Sequence, residues 1–395
     1  MKSGFLKNGV LGVLFILPLL GVGNDFGYEQ TKVLFFIFSI SLLGFLWRGK
    51  GLKWTLISKV GGVFILTLFV TSLMGADSKS SFLGKSPYFQ GLFLYCYLYL
   101  FYLIVKTFEI ELSKYVLVLS VSALIVSLLA IKDWLLLNIF HQFVPTYANR
   151  IVSTFGQSNF LGGFLLLTIP FSYLIFKLGK HKLVGISSLI LSITGIFLSE
   201  SRAAMVILFI MLFCWYINFL INFKRRIAFL IIGLFTLFFI FIANQTWKGL
   251  WAIEVEQSFD SQWLIYNSPE KRIFFWPVII ELINRRMLTG YGLENLSSAF
   301  SHYPNFYTKE AKPAQYFKLR ELNLDRSHNY ILDLLVFSGL LGCVAYIIFV
   351  IQLLGTKNKL LLTSLLIYLV WSQFQNQSIV HLTYFWLVAG LIDRK

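Results

Sequence analysis

The segment Asp325–Tyr330 joins a long polar stretch to an apolar run, and a histidine stands where the two meet. Ser327 has the side chain of a helix N-cap, which predicts that His328 lies in the first turn of the following helix. Imidazole can accept a proton near neutral pH, and a titratable group at the start of a buried helix carries a desolvation cost. The pattern favours proton transfer by His328; the structural alternative is a cap or a packed polar residue.

Several arginines fall on the same side as this histidine if successive apolar runs cross a membrane in alternate directions. They are Arg150, Arg202, Arg272 and Arg326. Ser201 fits an N-cap before Arg202, and a helix N-terminus beside guanidinium groups attracts phosphate. The set predicts a site for a phosphate or pyrophosphate head group whose lipid tail stays in the bilayer. The alternative for each arginine alone is an anchor for lipid head groups.

The elements that must position these residues are membrane helices. The chain has 395 residues, of which 57% are hydrophobic and 13% charged, whereas soluble domains have about 25% charged residues. Its apolar runs approach the 17–25 residues or so that a transmembrane helix needs, and lipid requires a backbone that satisfies its own hydrogen bonds. We therefore predict an all-α polytopic membrane protein. The twelve predicted helices are 8–23, 30–47, 60–75, 90–106, 115–131, 159–176, 183–198, 203–222, 227–243, 329–353, 360–374 and 377–392.

In this interpretation the net charge of +16 reflects an excess of lysine and arginine on one side of the membrane and does not indicate nucleic-acid binding. Lysines and arginines cluster in alternate loops, such as Lys224-Arg225-Arg226 and the terminal Arg394-Lys395. By the positive-inside rule these loops are cytoplasmic, which places both termini in the cytoplasm and the candidate site on the outer side.

One segment, 244–328, is much longer than the other loops, and it is predicted to be an extracytoplasmic insertion in a single membrane domain, 1–395. Within it, residues 271–288 have apolar side chains at helical spacing, which predicts an amphipathic helix that lies along the membrane or over the helix bundle. The stripe consists of Ile273, Trp276, Ile280, Ile283 and Met287, and Gly290-Tyr291-Gly292 ends the helix.

Familiar catalytic and metal-binding signatures are absent from the sequence: it has no G-x-S-x-G, H-E-x-x-H or P-loop motif, and no histidine–cysteine ligand cluster. We expect neither a metal nor a cofactor. The chemistry that fits is a metal-free transfer in which arginines neutralise a leaving pyrophosphate and a histidine assists the attacking hydroxyl.

Four motifs, in this order, resemble the O-antigen ligase/polymerase family of bacterial envelope glycosyltransferases. They are Arg150-Ile-Val-Ser-Thr-Phe-Gly-Gln-Ser-Asn159, Ser201-Arg202-Ala-Ala, Arg272-Ile-Phe-Phe-Trp276 followed by Gly290-Tyr-Gly292, and Ser327-His-Asn-Tyr-Ile-Leu-Asp333 followed by Gly339-Leu-Leu-Gly342. The order of the motifs, the twelve spans and the long outer loop agree with that family.

The resemblance implies transfer of a glycan from an undecaprenyl-pyrophosphate carrier to a glycan, lipid or protein acceptor, on the outer face of the bacterial cytoplasmic membrane. By motif match, Arg202 and Arg272 would hold the pyrophosphate and act in catalysis, and Arg150 would be a further phosphate ligand. His328 would orient or deprotonate the acceptor hydroxyl. The alternative class is a polytopic transporter, such as a lipid-linked sugar flippase, and a structural scaffold is a third. Polymerase, ligase and protein-glycosylating members share these motifs.

Overall fold

A computed structural model describes residues 2–21, 27–147, 149–221, 271–301 and 325–394. Most of these residues are helical, because long apolar runs interrupted by short polar turns can satisfy the backbone only within helices. The α-helices, in chain order, are α1 Lys2–Ile16, α2 Tyr28–Trp47, α3 Leu56–Leu73, α4 Ser78–Leu83, α5 Leu92–Thr107, α6 Leu112–Asn138, α7 Ser158–Leu178, α8 Lys182–Leu198, α9 Arg202–Ile221, α10 Lys271–Arg285, α11 Leu296–Ser301, α12 Tyr330–Leu354, α13 Lys359–Trp371 and α14 Ile379–Ile392. One small hairpin pairs strands β1 (Thr146–Tyr147) and β2 (Arg150–Ile151).

Five of these helices are long and apolar enough to cross a membrane, namely α2, α3, α6, α7 and α12. Six more apolar helices are shorter, among them α13 and α14. The all-α fold class is thus confirmed. The number of twelve crossings stays a prediction, because only five helices reach the length of a span and the predicted helix 227–243 lies outside the described residues.

The chain divides into two compact units. The larger unit combines Met1–Met205 with Val278–Lys395, and the smaller unit is Val206–Pro277, most of which lies outside the described residues. The single membrane domain and the long outer loop 244–328 stay predictions.

Helix α14 lies in the core of the larger unit, with every residue from Ile379 to Leu391 buried. Close approach to it depends on small residues. Gly163 of α7 faces the Trp371 ring so closely that a Cβ there would lie 2.3 Å from a ring atom. Trp371 in turn stacks on His381, with ring centroids 4.2 Å apart. This packing fixes the first turns of α7 and α14 next to each other.

The C-terminal end of α14 carries a second buried polar cluster. The Asp393 carboxylate pairs with Lys106 of α5 at 2.7 Å and accepts hydrogen bonds from Thr55 at 2.7 Å and from Tyr102 at 2.5 Å. Thr55 is also the N-cap of α3. Since α14 has 14 residues, its two ends are about 21 Å apart at 1.5 Å per residue.

Helix α12 is broken at Gly339, whose φ of 60° and ψ of −161° are not helical. The loop after α10 satisfies the backbone groups that the break releases. Tyr291 N–H donates to the Val336 carbonyl at 2.7 Å, Gly292 N–H donates to the Phe337 carbonyl at 2.8 Å, and Leu340 N–H donates to the Met287 carbonyl at 2.7 Å. The predicted helix 329–353 therefore has nearly the right ends, but it is kinked internally.

The predicted helix over 271–288 exists as α10 Lys271–Arg285, and the residues of its predicted apolar stripe differ in burial. Ile283 is buried, whereas Ile280 and Met287 are about half exposed. Val278, Ile279 and Leu282 are buried instead. The glycines of Gly290-Tyr291-Gly292 end the segment as expected, because both adopt positive φ.

Candidate functional site

His328 lies just before α12, not in its first turn. Asn329 is the N-cap, and its Oδ1 accepts a hydrogen bond from the Leu332 N–H at 3.0 Å. Ser327 closes a tight turn around His328, since its Oγ accepts from the Asn329 N–H at 3.1 Å and donates to the Asn329 carbonyl at 2.7 Å. The predicted cap was wrong because Asn329 competes with Ser327 for this role. The turn holds half-buried His328 in a left-handed conformation with φ 59°.

Arg202 is the first residue of α9 and its side chain is exposed. The predicted cap by the Ser201 side chain was also wrong, because Ser201 Oγ is buried without a hydrogen-bond partner among the described residues. Ser201 instead packs on Gly162 of α7, where an added Cβ would come within 2.6 Å of the Ser201 Cβ. The Ser201 side chain therefore does not cap the N–H groups of the first turn of α9.

Arg150 belongs to the short β-hairpin and reaches the turn before α9. Its Nη1 donates to the Glu200 carbonyl at 3.4 Å. Burial lowers the pKa of Arg150; the Glu200 and Tyr147 side chains act in the opposite direction, and the charge of Arg202 adds to the lowering. Arg150 therefore reaches the turn that precedes Arg202, and an anion bound there would be stabilised by the positive charge of both residues.

Arg272 is the second residue of α10. Its side chain lies outside the described part of the structure, so its predicted contact with pyrophosphate stays a prediction.

The start of α7 connects the turn of Arg202 to the turn of His328. On one side Gly162 packs on Ser201. On the other side the Asn159 amide donates to Gln375 Oε1 at 3.0 Å. The same 372–378 loop holds the turn of His328, because Asn329 Nδ2 donates to the Gln373 carbonyl at 3.2 Å and Tyr330 N–H donates to the Ser372 carbonyl at 3.0 Å. Arg150, Arg202 and His328 therefore occupy one end of the larger unit.

Arg326, which the sequence placed among the candidate phosphate-binding arginines without a motif match, is a buried member of this end. Its guanidinium forms an ion pair with Glu294, donates to Gln90 Oε1 at 3.1 Å, and lies about 5 Å from the ring centroids of Tyr88 and Phe337. Only 6% of Arg326 is exposed. Its charge is therefore neutralised inside the protein, which separates it from the exposed Arg202.

Burial raises the pKa of Glu294 to about 7, against the lowering effect of Arg326. For Arg326, burial acts to lower the pKa, but the charges of Glu294 and Asp333 outweigh burial and hold it above its ordinary value. Sequence separation hides this pair, because the two partners are 32 positions apart in the chain.

Glu29 and Lys32 in the first turns of α2 were also missed. Lys32 is fully buried, and its Nζ donates to the Thr154 carbonyl at 2.8 Å and lies 4.1 Å from the Phe155 ring centroid. Glu29 Oε2 accepts from the Ile379 N–H, at the N-terminus of α14, at 2.9 Å. These contacts fix the loop that follows Arg150. Two opposite charges three residues apart inside an apolar run were the signal that could have revealed them.

Between these elements lies a small pocket. It is lined by Gln90, Arg326, Tyr330, Asp333 and the amide run Gln375-Asn376-Gln377. The sequence marked 372–378 only as an interruption between two apolar runs, and nothing in the residue order indicated that its amides would be buried.

Comparison with known families gives a match over residues 187–347, to the family model described as O-antigen ligase. Comparison with curated proteins gives no significant match. The matched region contains three of the four quoted motifs and the residues Arg202, Arg272 and His328. The resemblance read from the motifs is thereby confirmed: residues 187–347 of this membrane protein match the O-antigen ligase family, and the match supports a ligase- or polymerase-like protein.

Proposed function

We propose that this protein transfers a glycan from an undecaprenyl-pyrophosphate carrier to an acceptor hydroxyl at the outer face of the bacterial cytoplasmic membrane. The observation that carries the proposal is the contact of Arg150 with the Glu200 carbonyl, two residues before Arg202, which is exposed at the start of α9. A diphosphate would neutralise both guanidinium groups and accept hydrogen bonds from the free N–H groups of the helix.

The chemistry can proceed on protein groups alone. The acceptor oxygen forms a bond to the anomeric carbon of the donor while the bond from that carbon to the pyrophosphate oxygen breaks. His328 takes the proton of the acceptor hydroxyl, and undecaprenyl pyrophosphate leaves as the anion. Arg202 and Arg150 stabilise the charge that develops on the leaving group. The motif match is the reason for proposing the same role for Arg272.

Turnover by the purified protein tests this proposal. The protein in detergent or nanodiscs is given an undecaprenyl-pyrophosphate-linked glycan and candidate acceptors in the presence of EDTA, and the products are separated on gels. We expect longer glycans or a glycosylated acceptor. Unchanged donor with every acceptor class would contradict the proposal, and turnover that EDTA abolishes would contradict its metal-free form.

The role of His328 is best tested by His328→Asn, because asparagine tolerates the left-handed backbone that this position requires. We expect the turnover rate to fall by about 10²–10⁴, as for loss of a general base, with donor binding retained. His141→Asn is the matched control, since His141 also has positive φ and is exposed on a loop. Arg202→Gln should instead weaken donor binding. Full activity of His328→Asn would exclude the proton-transfer role.

A further inference from the structure

Two amide side chains in the pocket beside His328 have polar atoms without partners. Asn376 is 4% exposed and Gln377 is 6% exposed. Asn376 Oδ1 and Gln377 Nε2 find no hydrogen-bond partner among the described residues. A buried polar group left unsatisfied costs about 1–3 kcal/mol, so such groups are uncommon unless something else binds there.

The other ends of both amides are fixed. Asn376 Nδ2 donates to the Tyr88 hydroxyl at 3.0 Å, and Gln377 Oε1 accepts from the Tyr368 hydroxyl at 2.5 Å. The Gln377 carbonyl also accepts from Gln90 Nε2 at 2.6 Å. These bonds hold both amides in place, and in this arrangement one acceptor, Asn376 Oδ1, and one donor, Gln377 Nε2, remain without partners among the described residues.

One acceptor and one donor together favour a ligand group that can both donate and accept a hydrogen bond. A hydroxyl group both donates and accepts, so it can satisfy Asn376 Oδ1 and Gln377 Nε2 together. The pocket has room for a group about the size of one water molecule, which fits a hydroxyl but not a sugar ring. An anion fits poorly, because the guanidinium of Arg326 is already paired with Glu294 and Asp333 also lines the pocket.

The pocket adjoins the place where the acceptor would bind. Its lining residues Arg326 and Tyr330 stand two positions before and two positions after His328. A ring whose attacking hydroxyl meets His328 could therefore direct a second hydroxyl toward the amides.

We propose that Asn376 and Gln377 form a hydroxyl-recognising subsite that contributes to binding of a sugar acceptor. This inference rests on the proposed transferase function and adds specificity-determining residues to it. Both residues lie outside the region 187–347 that matches the family.

Binding of free sugars tests the subsite without requiring turnover. Thermal unfolding of the full-length protein in detergent is followed with glucose, galactose, mannose or N-acetylglucosamine at increasing concentration, with sorbitol as the control for solute effects. We expect at least one pyranose to raise Tm in a saturable way, because a ligand of the folded state stabilises it. Gln377→Met and Asn376→Leu should weaken that sugar about tenfold, the loss expected for one or two hydrogen bonds.

Tyr368→Phe and Tyr88→Phe are the matched controls. Each removes the same internal hydrogen bond as the corresponding amide variant but leaves the unpartnered amide atom in place. We expect both to retain most of the sugar response. The subsite is overturned if no sugar acts beyond sorbitol, which would indicate a pocket for water only, or if the amide variants respond like the wild-type protein.

Turnover separates this inference from the function on which it rests. In the transfer assay, Gln377→Met should raise the acceptor KM about tenfold and leave the donor KM unchanged. If the wild-type protein binds sugars through these amides but transfers no glycan, the transferase function is contradicted and the sugar subsite is supported. Active transfer with an unaltered acceptor KM in both amide variants would support the transferase and exclude the sugar subsite.

Discussion

Arg326 and His328 are two positions apart and have opposite surroundings. Arg326 is enclosed by Glu294, Gln90 and two aromatic rings, whereas His328 is half-buried in a strained turn. The sequence predicted the place of His328 to within one turn, because a polar-to-apolar boundary marks a helix start. It did not separate the roles of the two residues, since the partner that neutralises Arg326 is distant in the chain. Local patterns report exposure to the membrane, but they do not report pairing across the fold.

Glu294 should make stability depend on pH. Its folded pKa of about 7 is raised above the ordinary value of 4.5. The neutral carboxyl therefore contributes stability that is complete below about pH 4.5 and is lost as pH rises through about 7. The charges facing it are those of Arg326, Asp325 and Asp333. We expect Tm of the wild-type protein to fall relative to that of Glu294→Gln between pH 5 and pH 8. Parallel Tm curves for the two proteins would show that this carboxyl does not titrate in that range.

Helix α12 shows how an element can be predicted in extent and missed in shape. A mean hydropathy of 2.7 in its most apolar window marks it clearly as a span. The break at Gly339 depends on backbone partners supplied by residues 287–292, and hydropathy carries no information about such pairing. The motif Gly339-Leu-Leu-Gly342 contains the glycine at which the helix breaks, but the break itself is visible only in the structure. Gly290 and Gly339 face each other so closely that side chains at either would meet backbone.

Gly339→Ala should destabilise the protein strongly. An added Cβ would lie 2.3 Å from the Leu288 backbone, and the positive φ is strained for alanine. We expect a loss of at least about 1–3 kcal/mol, seen as a lower Tm in detergent. Gly12→Ala is the control, because a Cβ at Gly12 in α1 meets no atom within 4 Å and alanine favours a helix. Equal Tm values for the two variants would contradict the interlocked geometry.

On the scale of the whole molecule, the larger unit has two polar ends joined by α14. One end holds Arg150, Arg202, His328 and the amide pocket; the other holds Asp393 with Lys106 and Thr55. Hydropathy predicted the helices between these ends well, because apolar runs dictate helix in lipid. It missed the few buried charges, whose partners come from separate helices. The proposed site and the cluster around Asp393 are thus separated by the length of α14.

Asp393→Ala should test that separation. Removing one partner of a buried pair leaves the other charge uncompensated, which costs about 3–5 kcal/mol. We expect a lower Tm, with turnover per folded molecule unchanged, because the substitution lies at the far end of α14. The double variant Lys106→Met/Asp393→Ala should recover part of the stability, since no lone charge remains. A selective loss of turnover with unaltered Tm would show that the two ends are coupled.

The break in α12 also limits how such proteins can be recombined. The carbonyls of Val336 and Phe337 accept hydrogen bonds from residues 291 and 292, and unsatisfied backbone groups in a bilayer cost several kcal/mol each. Since 287–292 precede α12 in the chain, these partners are already synthesised when the broken helix enters the membrane. A chimera between two related chains must therefore exchange 287–292 and 336–341 as one unit. A crossover between them would leave a helix with a gap that its new neighbour is not built to fill.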